Sequence, residues 1–135
     1  MSEPLILERA QAVVLAALPN SKDWSDDPSD PKPDKLDAFV VSLTRDSAMP
    51  ASMGSTLEEC QLSLEVEVFT KYAATADGRA QATVKGRAVQ AALMADATIK
   101  SLVDYMTGDA LEVDLAKGEE RMARAMIQVS ILATV

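Results

Sequence analysis

The chain has 135 residues, 48% apolar and 25% charged, which suits one domain with one core spanning residues 1–135. Its 21 Asp and Glu outweigh 13 Lys and Arg, for a net charge of −8, and this argues against direct contact with nucleic acid or an anionic membrane, because phosphates need clustered cations. With no His and a single Cys, Cys60, the commonest general base, the commonest metal ligand, an internal disulfide and a thiolate zinc site all drop out.

The chain opens on an expected amphipathic helix, Pro4–Leu18. Ser2 can cap it, and Pro4 falls near the first turn, where its missing N–H costs little. Ile6, Ala10, Val13, Val14, Ala17 and Leu18 recur at helical spacing, with Glu8 and Arg9 on the other side. The sequence MSEPLILERAQ lacks the basic n-region of a signal peptide, and no apolar run reaches the ~20 residues of a membrane span.

Residues Pro19–Asp37 break the pattern. Prolines at 28, 31 and 33 predict an irregular segment, and its six aspartates, Asp37 included, predict a solvated loop. An EF-hand is excluded, since the fixed glycine and distal Glu are missing. Trp24 is either a lid on the core or a partner contact.

Ala38–Thr44 predicts a strand with Phe39, Val41 and Leu43 on one face, followed by a long connection, Arg45–Glu59. A loop of that length is usually functional, and Met49 and Met53 on it are candidate contact residues, because Met adapts to irregular surfaces. Cys60–Tyr72 carries the clearest signal in the chain. Leu62, Leu64, Val66 and Val68 alternate with Gln61, Ser63, Glu65 and Glu67, the period of a strand with one dry face.

After a turn at Tyr72–Gly78, Arg79–Met94 predicts an alanine-rich helix with Ala80, Val84, Ala88 and Ala91 along its packing stripe and Gly86 as a weak point. Asp96 can cap a shorter helix through Ile99, Leu102, Val103 and Met106, stopped by Gly108. Leu111, Val113 and Leu115 predict a third strand, and residues 116–119 a tight connection. The last strand, about Arg121 to Thr134, sets Ala125, Ile127, Val129 and Ile131 against Arg124, Met126, Gln128, Ser130 and Leu132. The expected architecture is α+β: a four-stranded, mainly antiparallel sheet with helices packed on one face, in the order α-β-β-α-α-β-β. Its open face should carry Val40, Phe69, Met126 and Leu132 beside Glu65 and Glu67, and such a cluster suggests a contact surface.

Catalytic chemistry is not legible. Asp77-Gly78-Arg79 and Lys85-Gly86-Arg87 lack the spacing of a phosphate loop. The pairs Glu58-Glu59, Glu65/Glu67 and Glu119-Glu120 read as solvated charge, and Cys60 as a small buried residue. No catalytic, cofactor-binding or metal residues are expected.

The order of elements, with AFVVSLT, LEVEVF, KSLVDYMTGD and the closing hairpin LEVDLAKGEERMARAMIQVSILATV, resembles the tail terminator proteins of long-tailed phages, lambda-type minor tail proteins. The resemblance implies a structural virion protein without cofactors. It would form a homo-oligomer, a six-membered ring that caps the tail tube protein, stops its polymerisation and presents a surface to the head–tail connector protein. It would reside in the virion tail after assembly in the host cytoplasm. The alternative is a small cytosolic α+β adaptor or ligand-binding domain with no virion role.

Overall fold

A computed structural model describes residues 2–25, 37–50, 58–71, 78–115 and 122–134. The elements run α1 (Ser2–Ala17), β1 (Lys22–Asp23), β2 (Ala38–Pro50), β3 (Glu58–Lys71), α2 (Gly78–Ala95), α3 (Ala97–Leu102), β4 (Tyr105–Leu115) and β5 (Met122–Thr134). Among the described residues they form one five-stranded sheet in the order β1-β2-β3-β5-β4.

The central strand behaves as its alternation requires. Leu62, Leu64, Val66 and Val68 of β3 are buried beside Phe39 and Val41 of β2 and Ala125, Ile127, Val129 and Ile131 of β5. Register keeps them on one face: Val66 pairs with Val41 and Ile127, and Leu64 with Leu43 and Val129. Ile6, Ala10, Val13 and Val14 of α1, Ala82, Val89 and Leu93 of α2, and Ile99 of α3 complete the same cluster. Burial of each large aliphatic side chain is worth roughly 1.5–3 kcal/mol before entropy.

The expected four-stranded sheet is corrected. The added strand, β1, lies in the stretch expected to be irregular and runs parallel to β2, so the sheet is mixed. Two residues are too few to show a period. Pairing creates this strand: Lys22 N–H donates to the Asp37 carbonyl at 2.9 Å, and Trp24 N–H to the Phe39 carbonyl at 2.8 Å.

Both later strands also outrun their sequence patterns. β2 continues through Arg45 to Pro50, with a bulge between Arg45 and Ser47, and Pro50 faces Glu58. The long connection is thereby reduced to residues 51–57, which lie outside the described residues. The predicted helix past Ile99 ends early, because Val103 is already extended (φ −126°, ψ 155°). Asp104 N–H then donates to the Leu132 carbonyl at 2.8 Å, and β4 begins at Tyr105, six residues before its alternation becomes visible at Leu111. The free side of β5 takes this segment into the ladder and overrides its helical spacing.

The packing stripe of α2 is corrected as well. Ala80, Val84, Ala88 and Ala91 face away from the sheet, and Val84 is 69% exposed. Ala82, Gly86, Val89 and Leu93 face inward instead. Both sets satisfy helical spacing, and only the sheet decides between them.

Candidate functional site

The face of the sheet opposite the helices is where the sequence places its contact residues, and register lays it out in cross-strand rows. One row reads Val40, Glu67, Met126, Glu112 across β2, β3, β5 and β4. The next reads Ala38, Phe69, Arg124, Asp114. On the other side come Ser42, Glu65, Gln128, and then Thr44, Ser63, Ser130, Thr107. Then come Gln61, Leu132, Tyr105, with Met49, Glu59, Thr134 at that end of the face and Lys71, Met122 at the other.

Val40, Phe69 and Met126 therefore come together around Glu67. Leu132 does not join them: it lies six residues further along β5, about 20 Å away at ~3.4 Å per residue, behind a polar belt. Val40, Met126 and Leu132 are half-buried, whereas Phe69 is only 5% exposed although it belongs to the open face. Met49 lies in β2 opposite Glu59, and Met53 lies outside the described residues.

The face is acidic. Glu65, Glu67, Glu112 and Asp114 share it, and Arg124 stands between Glu67 at 4.0 Å and Asp114 at 3.5 Å. These are long, partly solvated pairs, worth little individually. At the Leu132 end, a depression of about 350 Å³ is lined by Asp46, Gln61, Tyr105, Thr107, Ser130 and Leu132, among others. Tyr105, 63% exposed, gives no sign of this face in the sequence, because it falls within the helical spacing of Ile99, Leu102, Val103 and Met106. Asp46 accepts from the Ser63 hydroxyl at 2.5 Å.

Two polar assemblies brace the surroundings. The Asp37 carboxylate, expected to be solvated, accepts from Lys71 N–H at 3.0 Å, Lys85 Nζ at 2.9 Å and Thr70 Oγ1 at 3.3 Å, while Lys85 Nζ also donates to Thr70 Oγ1. Burial alone would raise the Asp37 carboxyl; the backbone N–H, the ammonium and the hydroxyl outweigh it and hold the group below its usual range. Arg9, expected to face solvent, grips Asp96 through two hydrogen bonds of 2.8 and 3.1 Å. Asp96 caps α3 by accepting from Ile99 N–H at 3.0 Å. The Arg9 guanidinium, helped by that N–H, holds the Asp96 carboxyl low against the effect of burial. Trp24 is half-buried beside β2, with Lys22 Nζ 4.8 Å from its ring centroid. Among the described residues no group of three or more His, Cys, Asp or Glu could hold a metal ion, and no helix is long and apolar enough to cross a membrane.

No family model matches the chain, and no curated protein matches it. Solved structures do match. One is a chain described as the virion of native gene transfer agent (GTA) particle, with a TM-score of 0.50 and 16% identity, covering 94% of this chain and 88% of that one. At that identity the two chains share a fold.

Proposed function

We propose that this chain is a structural subunit of a phage-like virion and, more specifically, a tail terminator. It forms a ring on the last layer of the tail tube, stops tube growth and offers a surface to the head–tail connector. Its role is architectural and not catalytic, its partners are copies of itself, the tube protein and the connector, and its place is the tail of the particle. The observation that supports this best is the fold shared along nearly the whole chain with a virion chain, beside the independent resemblance of the sequence to tail terminators.

Deleting the chain from the element that encodes it is the direct test. Electron microscopy of the lysate is expected to show tail tubes of uncontrolled length and heads without tails. Normal particles would overturn the proposal. They would favour the alternative of a small ligand-binding domain, which would use the depression beside Tyr105 and Leu132.

A further inference from the structure

The helical layer has an outer surface that its own fold does not use. On α1 the side away from the core carries Leu5, Glu8, Ala12 and Leu15, with Leu5 and Leu15 52% and 47% exposed. On α2 it carries Val84, Arg87, Ala88 and Ala91, all exposed. A helix apolar on two sides normally has both sides covered. Three of the four large apolar side chains exposed among the described residues, Leu5, Leu15 and Val84, lie here, and the fourth, Tyr105, lies on the open sheet face.

Charge separates the same two surfaces. In a chain of net charge −8, α2 holds Arg79, Lys85 and Arg87 and neither Asp nor Glu; Lys85 and Arg79 bond Asp37 and the Val113 carbonyl of their own chain, and Arg87 lies on the outer face. The middle rows of the open sheet face hold Glu65, Glu67, Glu112 and Asp114 against Arg124, with Lys71 and Lys22 at its margin. Glu67 and Glu112, with Met126 between them, are two strand spacings apart, about 10 Å. A helix of small residues lets a partner backbone approach closely enough for Arg87 to reach either carboxylate.

We infer that the outer face of α2 in one copy docks on the acidic sheet face of the next, with Arg87 against the row of Glu67 and Glu112 and Val84 against Met126. The contact joins two different faces, so it propagates head to tail and closes into a ring when the rotation permits. It rests on the proposal that copies of this chain associate, and it names the surfaces that do so.

The test uses Arg87→Glu and Glu112→Arg, two exposed positions whose reversal leaves the core untouched. Sedimentation velocity on each variant, on an equimolar mixture and on the wild type, over a concentration series, reads the contact. Each variant alone should associate at least about tenfold more weakly than wild type, as truncated or reversed interface charges do. The mixture should recover, because each junction then again joins opposite charges. Val84→Glu should weaken association without lowering the melting temperature. A wild type that forms a ring, with all three variants forming it equally well, would overturn this pairing of faces and leave the ring intact. A wild type that stays monomeric throughout and on purified tubes would overturn both.

Discussion

Gly86 sits where α2 crosses β4 and β5. A Cβ added there would lie 2.7 Å from Leu111 Cδ1 and 3.3 Å from Ala125 Cβ. Helix propensity alone assigns Gly86→Ala a gain of about 1 kcal/mol. Overpacking a filled site costs about 1–3 kcal/mol. The Leu111 tip can turn aside, whereas the Ala125 methyl moves only with the β5 backbone, so a net loss of about 1 kcal/mol is expected in urea melts. The loss should shrink in a Leu111→Ala background, where the closest neighbour is gone. Asp37 gives the second residue-scale prediction. Its carboxyl is held below 3.8 in the fold, so its contribution is present above that value and disappears as pH falls through the lower, folded one. Stability should therefore be flat near neutrality and decline from about pH 4 downward. Asp37→Asn should cost about 1–2 kcal/mol at pH 7 and flatten the acid limb, as measured by thermal melts across pH.

At the scale of elements, β3 is the strand whose loss removes the core. Val66 is fully buried between Val41 and Ile127. Val66→Asp is expected to unfold the domain, because an unpaired carboxylate in an apolar interior costs several kcal/mol. Glu65→Gln, on the half-exposed face, should change the melting temperature little. Equal effects would mean that the register is inverted. The junction of α3 and β4 is set by its caps. Asp96 binds Ile99 N–H and Arg9 at once, so Asp96→Ala should cost about 1 kcal/mol as a lost N-cap and also free α1 from α3. Hydrogen exchange should then quicken in both helices while β3 and β5 stay protected.

At the scale of the molecule, the helices bury one face of the sheet and leave an acidic face on the other side. The 14.4 kDa chain is expected to sediment as a species six times that mass, or as a monomer passing towards it with concentration. A tight dimer at every concentration would count against a closed ring, since a two-fold contact uses one patch twice and stops there. The depression beside Tyr105 and Leu132 belongs to the same face, on the side away from the Val40, Phe69 and Met126 group.

The period-two run of β3 and the inner face of β5 were legible because each is written in a local spacing that only one packing satisfies, and the inner face of α1 was legible because it is the larger of that helix's two apolar stripes. Val40, Phe69 and Met126 could be assigned to the outer face on the same ground. What the sequence could not determine was anything two packings satisfied equally. α2 is apolar on both sides, and only its fit around Gly86 against Leu111 and Ala125 turned Ala82, Val89 and Leu93 inward. Residues 105–110 carry a helical spacing that the unpaired edge of β5 overrode, and with them went any sight of Tyr105 on the open face. β1 owes its existence to backbone hydrogen bonds with residues 37–39, and such bonds leave no mark in side-chain pattern. Burial periodicity is a local property of the chain, whereas ladder partners and the phase of a two-sided helix are settled only when distant segments meet.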